Sequence, residues 1–325
     1  HNPMQYNGYK AYWEDGAQLP PEHADVVSAT MQKLDIFEDV KLADFDEALA
    51  AGKIIMLGRD MDEKYLACVQ AQAVNPEAVK AVADELKIVY SPLHGTGYRL
   101  VPEILRRCGH KNVFTVDEQM VISGDFPTVA KPNPEYKEVF DIGMKIADEV
   151  GSDLVVATDP DADRVGVVTR TPDGSFTTIT GNQMGALLMD YILTAYEETN
   201  TMPEIPFAVK TIVTTNMAKS IAAKYGCEIR DLLTGFKYIG EQIGVLEAEG
   251  RADRYVIGFE ESYGYLAGSY VRDKDAVVAS MLIVEMASYY HKQGISLLQR
   301  MEQLYQEHGF YRNALVNVAF EGEQG

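Results

Sequence analysis

From Lys87 onward the chain alternates short apolar, β-branched runs with longer runs of helical period, and that alternation commits it to βα units on a mostly parallel sheet. The run Lys87-Ile-Val-Tyr-Ser91 predicts a strand, 99–108 a helix closed by Gly109, 112–116 a strand, 135–150 a helix closed by Gly151, and 153–158 a third strand. Residues 165–170 and 175–180 read as a hairpin turning at Pro172-Asp173-Gly174. The same grammar restarts at Gly181, with a helix to 198, a strand over 207–213, a helix over 216–225, a strand over 227–232, a helix over 235–249 and a strand over 254–259. Helices over 276–291 and 295–308 close that unit. The expected class is α/β: repeated α/β domains over 65–180 and 181–310, with mixed, mostly parallel sheets flanked by helices and a ligand cleft between domains. Each is long enough to bury a core of its own. Residues 1–64 fit neither unit; a turn at Tyr6-Asn-Gly-Tyr9 and helices over 21–34 and 44–51 read as the tail of a further domain. Residues 311–325, with a strand or linker over 314–320, read as the lead into another.

Charge narrows the partners. Lysine and arginine number 29 against 49 aspartates and glutamates, a balance of −20 that repels polyanions and argues against nucleic acid and anionic membrane. The most apolar stretch, 276–284, is about half the roughly 20 residues a bilayer needs. Cys68, Cys108 and Cys227 are too far apart for a zinc motif and odd in number, which suits a reducing, cytoplasmic setting.

Both units carry their least ordinary residues directly after the third strand, where ligands collect in open α/β sheets, so the two loops are expected to face one crevice. In the first, Asp159, Asp161 and Asp163 recur at a spacing of two, which in an extended segment puts all three carboxylates on one side, with Pro160 holding Asp159 extended. Hard oxygen ligands in that number suit Mg²⁺ completed by phosphate and water. A calcium loop is excluded, because its glycine and glutamate positions hold Arg164 and Arg170; a solvated acidic turn is the plainer alternative. Ser91-Pro-Leu-His-Gly-Thr-Gly97 is either a phosphate cradle or a tight turn needing positive φ. In the second unit Glu260-Glu261-Ser262 offers acceptors and a hydroxyl for sugar hydroxyls, or simply acids at a helix N-terminus. Lys237, in Thr234-Gly-Phe-Lys237, reaches an anion in the crevice or lies solvated on a helix, and Arg272-Asp-Lys-Asp275 is equally open. His23, His110, His291 and His308 read as structural, and neither a Ser/His/Asp order nor HExxH is evident.

Taken together, His1-Asn-Pro3 with Tyr6-Asn-Gly-Tyr-Lys10, then 159–164, then 234–237, then 260–264 with 272–275 resemble, in order, the signature loops of the α-D-phosphohexomutases. The likeness extends over essentially the whole chain, and the forms of 1–18, 91–97 and 259–268 look most like bacterial phosphoglucomutases and the related glucose-bisphosphate and phosphopentose mutases. The resemblance implies an Mg²⁺-dependent isomerase that interconverts hexose 1- and 6-phosphates, glucose foremost, through a phosphoserine and a bisphosphorylated sugar. Glucose 1,6-bisphosphate would be intermediate and activator, and phosphopentomutase or phosphomannomutase activity is the alternative. It also implies Asp159, Asp161 and Asp163 as Mg²⁺ ligands, Arg164 beside the phosphoryl group, and Glu260 and Ser262 on the sugar's O3 and O4, with Thr234 and Gly235 lining the sugar site. Lys10 would give acid/base or electrostatic help, with His1 and Asn2 bordering the phosphoryl site. The family's catalytic loop reads Thr-Ala-Ser-His-Asn-Pro, so the phosphoserine is expected just before His1 and a fourth, phosphate-binding domain after Gly325. The chain as given would then be a non-catalytic sugar-phosphate-binding module. Two departures stand out, Pro160 where many members have glycine and Phe236 where some have histidine.

Overall fold

The structure, a computed structural model, describes residues 1–6 and 8–316. The chain enters through α1 (Pro21–Met31) and α2 (Phe45–Ala50), neither of which buries a residue, and continues into α3 (Arg59–Gln70) and α4 (Pro76–Val82). A first sheet is then built from β1 (Lys87–Ser91), α5 (Gly97–Arg107), β2 (Asn112–Thr115), α6 (Asp141–Val150), β3 (Leu154–Thr158), β4 (Val165–Arg170) and β5 (Phe176–Ile179). A second follows from α7 (Gly181–Thr199), β6 (Phe207–Thr211), α8 (Met217–Lys224), β7 (Glu228–Leu232), α9 (Phe236–Ala248), β8 (Tyr255–Phe259) and β9 (Tyr265–Leu266). Helices α10 (Ala276–Lys292) and α11 (Leu297–His308) complete it.

The sheets run β2-β1-β3-β4-β5 and β7-β6-β8-β9. In each, the first strand pairs in parallel with the second and third, and the fourth returns antiparallel to the third. The repeat expected from the alternation is therefore one topology used twice, with β5 added to the first copy. Strands β1, β3, β6 and β8 are buried along nearly all of their length, as continuous apolar runs in a helix-covered sheet should be. Helix starts follow local chemistry: Thr180 with Gln183 and Ser296 with Gln299 form capping boxes on α7 and α11, and Gly151 closes α6 at φ +68°.

Several expectations shift. The helix expected over 135–150 begins only at Asp141, because Asn133 Oδ1 accepts the Glu135 N–H and holds a turn over 133–136, after which a 3₁₀ turn (Lys137–Phe140) leads in. α1 stops at Met31, short of 34. α3 runs through the expected boundary at 64/65, and neither α4 nor the two-residue β9 was foreseen. The N-terminal turn spans 3–6, where the Tyr6 N–H reaches the Pro3 carbonyl at 3.0 Å; Asn7, within the turn expected over 6–9, lies outside the described residues. Residues 314–316 have no regular structure, and the rest of the strand or linker expected over 314–320 is likewise outside them.

The two units do not keep separate cores. Val89, Val155, Ala157 and Val168, on one face of the first sheet, pack with Phe140 and Ala147. The other face, through Ile88, Tyr90 and Val156, joins α5, α7, α10 and the whole second sheet in a single apolar cluster. α10 makes the junction, because it is apolar nearly all round and buried against α4 and α5 as well as α7 and β9.

Candidate active site

Asp159 ends β3, and the chain turns back into β4 within five residues. The Ala162 N–H reaches the Asp159 carbonyl at 3.0 Å, and Ala162 itself sits at φ +56°, unusual for a residue with a Cβ. This corrects the extended geometry: the loop converges its carboxylates by closing on itself. One oxygen from each of Asp159, Asp161 and Asp163 lies within 4.8 Å of the others. Asp159 Oδ1 accepts the N–H groups of Asp163 (3.1 Å) and Arg164 (2.9 Å), which fixes its orientation. Asp159 Oδ2 and Asp163 Oδ1 are buried with no hydrogen-bond partner among the described residues. Burial, with Asp163 and Asp161 alongside, pushes the Asp159 carboxyl well above its ordinary value.

Positive charge gathers around the triad. Lys10 Nζ lies 2.6 Å from Asp161 and 2.5 Å from Asp163. Burial works to lower its ammonium, but these hydrogen bonds outweigh it and hold Lys10 above its usual value. For Asp161, burial raises the carboxyl and the bond from Lys10 overcomes it, leaving the group lowered. Lys274 Nζ stands 3.1 Å from Asp163, and His1 Nδ1 3.9 Å from Asp159 Oδ2. Arg164 turns its Nη1 to Glu135 at 2.7 Å.

The segment 91–97 is the tight strand-to-helix turn of the two alternatives, closed by the Gly95 N–H on the Pro92 carbonyl at 2.8 Å. The Leu93, His94, Gly95 and Thr96 N–H groups already reach Ser91 Oγ and the carbonyls of Gln119, Pro92 and Pro160, which corrects the phosphate cradle. Positive φ falls on Leu93 (+47°) and His94 (+65°), not on the glycines. Gly95 is required by close approach, since a Cβ there would lie 2.2 Å from Pro160 Cα. The segment is a buttress beneath the 159–164 loop.

On the second sheet the acidic pair diverges. Glu260 Oε1 accepts the Gly235 N–H at 3.2 Å, from the loop after β7, where Gly235 holds φ +122°. Glu261 Oε2 accepts the hydroxyls of Thr211 (3.0 Å), at the end of β6, and Thr214 (3.2 Å), in the loop after it. Burial raises the Glu260 carboxyl, opposed by Lys274 and reinforced by Glu261. Ser262 is half-buried, Thr234 exposed, and Lys237 half-buried with Nζ 5.2 Å from the Tyr238 ring.

The two loops meet directly. Arg164 and Gly264 form an antiparallel bridge, and the Val165 N–H reaches the Tyr263 carbonyl at 3.1 Å. The Ala276 N–H, at the start of α10, reaches the Ala162 carbonyl at 2.9 Å. His1, Lys10, Asp159, Asp161, Asp163, Arg164 and Glu260 are thus drawn to one place, beside a cleft of 370 Å³ that Tyr12, Asp161 and Lys274 help line. Thr234 and Lys237 are attached to it only through Gly235 and the start of α9. Lys274 is the residue the sequence left undecided: it lies between Asp163 and Glu260 because Asp275 beside it caps α10 and is gripped by the Tyr65 hydroxyl at 2.7 Å. An aspartate before a long apolar helix was the available signal.

Family models described as phosphoglucomutase/phosphomannomutase alpha/beta/alpha domains I, II and III match residues 1–36, 63–174 and 180–308. The phosphoglucomutase of Staphylococcus saprophyticus is 35% identical over 327 residues, covering 100% of this chain and 57% of that protein. A phosphomannomutase of Mycoplasmoides pirum is 33% identical over 325 residues, covering 98% and 56%. The chain therefore spans a little over half the length of the curated relatives it matches. A Thermus thermophilus chain assigned to the phosphomannomutases shares the fold, with a TM-score of 0.72 at 23% identity over 95% of this chain and 62% of that one. With three successive family domains matched in order, the chain belongs to the phosphoglucomutase/phosphomannomutase family, the α-D-phosphohexomutases.

Proposed function

We propose that these residues are the metal- and sugar-binding part of a phosphohexomutase that interconverts hexose 1-phosphate and 6-phosphate, with glucose as the preferred sugar. The observation that carries the reading is a pair of buried carboxylate oxygens with no hydrogen-bond partner among the described residues, Asp159 Oδ2 and Asp163 Oδ1, inside a three-aspartate cluster bonded through its backbone to the Glu260 loop. Such oxygens fit a hard divalent cation, so Asp159, Asp161 and Asp163 would hold Mg²⁺. When bound, it would supply charge neutralisation for phosphoryl transfer.

The transfer itself runs between a phosphoserine and the free hydroxyl of the sugar phosphate, by way of a bisphosphorylated sugar. Arg164 stabilises the phosphoryl oxygens, with His1 and Asn2 at the border. Lys10, hydrogen-bonded to Asp161 and Asp163, gives acid/base or electrostatic help to the transfer. Glu260 and Ser262 take the sugar hydroxyls O3 and O4, Thr234 and Gly235 line the ring, and Lys237 takes an anionic oxygen. After the bisphosphorylated sugar turns, the same contacts re-form for return of the other phosphoryl group to serine. Two near-equal identities, one to a phosphoglucomutase and one to a phosphomannomutase, keep mannose as the second reading.

Mn²⁺ titration followed by electron paramagnetic resonance tests the metal, and a coupled dehydrogenase assay of the full-length protein tests the reaction. Binding that disappears in Asp161→Ala, together with a higher kcat/KM on glucose 1-phosphate than on mannose 1-phosphate, is the expected result. Unchanged Mn²⁺ binding in Asp161→Ala removes the metal assignment, and absence of turnover on both sugars removes the reaction.

A further inference from the structure

Glu135 stands outside the motifs that mark the family in this chain, yet the molecule takes pains to deliver it. Asn133, buried, folds its side chain onto the Glu135 N–H at 3.0 Å, and the Tyr136 N–H closes the turn on the Asn133 carbonyl at 3.1 Å. Pro134 then rests on the bare backbone of Gly166 in β4: a Cβ on Gly166 would lie 2.5 Å from the Pro134 carbonyl oxygen and 2.7 Å from its Cβ. The turn is thereby seated two residues beyond Arg164, and Glu135 Oε1 meets Arg164 Nη1 at 2.7 Å. Both side chains are mostly covered, 24% and 17% exposed, so the pair is shielded from the solvent that makes surface ion pairs nearly worthless.

Arg164 has another attraction close by. Its Nε lies 3.9 Å from Asp163 Oδ1, one of the two triad oxygens with no hydrogen-bond partner among the described residues. A guanidinium is long, permanently charged and well matched to carboxylates. Left without Glu135, it would turn into the aspartates and occupy them in place of a cation.

Resting on the reading above, we infer that Glu135 is a positioning residue that holds Arg164 out of the aspartate triad and toward the phosphoryl site. It does not touch substrate or metal; it acts through Arg164. The function of the 133–136 turn, and of the glycine at 166, is to place that one carboxylate.

A double-mutant cycle reads the role in two ways. In Mn²⁺ titrations of this chain, Glu135→Ala is expected to weaken binding about fivefold or more, and Glu135→Ala with Arg164→Ala to restore it to wild type or better. In the full-length protein, Glu135→Ala is expected to lower kcat on glucose 1-phosphate about tenfold with KM within about twofold, and to add less than about twofold once Arg164 is already alanine. Glu135→Gln, which keeps an acceptor at the same reach, should fall between wild type and alanine in both assays, and it carries the test if the alanine variant melts early. Wild-type Mn²⁺ affinity and turnover in Glu135→Ala, or costs that simply add in the cycle, overturn the inference. If the wild-type chain binds no Mn²⁺, the metal reading fails by itself and the turnover cycle alone decides Glu135. If Arg164→Ala turns over like wild type, Arg164 has no role at the phosphoryl site and Glu135 none through it.

Discussion

The loops after β3 and β8 occupy the same station in the same topology, yet they handle their acidic residues in opposite ways. After β3 the carboxylates face one another, and two buried oxygens have no donor among the described residues. After β8 the carboxylates point apart, Glu260 to a backbone N–H from the loop after β7 and Glu261 to two hydroxyls, one at the end of β6 and one in the loop after it. Buried carboxylate oxygens left without a donor have room for a further cation beside Lys10 and Lys274; carboxylates distributed among donors become fixed acceptors. On the proposed function, one scaffold position would thus serve a metal in one copy and sugar hydroxyls in the other, according to where the protein sends its hydrogen bonds.

The contrast breaks first if the loops exchange roles under mutation. Asp163→Ala is expected to abolish Mn²⁺ binding and lower turnover of the full-length protein by about 10²–10³, the scale of removing a major electrostatic stabiliser. Glu260→Ala should leave Mn²⁺ affinity within about twofold while lowering kcat/KM on glucose 1-phosphate roughly 10- to 150-fold, the equivalent of a hydrogen bond to a charged group. Loss of Mn²⁺ in both variants would show a single acidic site and not two kinds.

A smaller effect sharpens the comparison through pH. The folded chain raises the Asp159 carboxyl, so without metal it keeps that proton to higher pH than the unfolded chain does. The stability this contributes is fully present below the unfolded value and is lost as pH rises through the folded one. Asp161, lowered through Lys10, acts in the opposite sense, losing its contribution as pH falls. In metal-free buffer at pH 8, Asp159→Asn should therefore melt above wild type by a few degrees, on the order of 2–4 °C per kcal/mol relieved, with the gap closing at lower pH. Added Mn²⁺ should reverse the order, because the intact triad gains binding free energy. A gap independent of pH and metal would mean that Asp159 is not raised.

The smallest effect belongs to Glu261→Gln. An amide keeps an oxygen for Thr211 and Thr214, so kcat/KM on glucose 1-phosphate should fall less than about threefold. A loss as large as that of Glu260→Ala would place Glu261 in direct contact with sugar.

Much of the scaffold was legible because its signals are local. Apolar runs marked β1, β3, β6 and β8, and the aspartates showed themselves by spacing alone. The contacts that local patterns do not carry depend on partners remote in the chain. Lys10 meets Asp161 across 151 positions and Asp163 across 153, and Glu135 meets Arg164 across 29, separations at which periodicity carries no information. Glycines 95 and 97 look like turn formers, but their reason is the approach of Pro160 and of the Tyr90 hydroxyl, which only packing reveals. The expected independence of the two cores failed for the same cause: α10 reads as a helix of its own unit, and nothing local says that α4 and α5 lie on its other side.

That sharing orders events during synthesis. The face formed by Leu66, Val82, Val101, Ile104 and Leu105 is complete once residue 107 has been made, but the helix that covers it begins at Ala276. At translation rates of about 5–20 residues per second, the ribosome needs roughly 10–35 s to supply that cover. Throughout that interval helices α3, α4 and α5 present an apolar side to whatever other chains surround them until α10 takes its place.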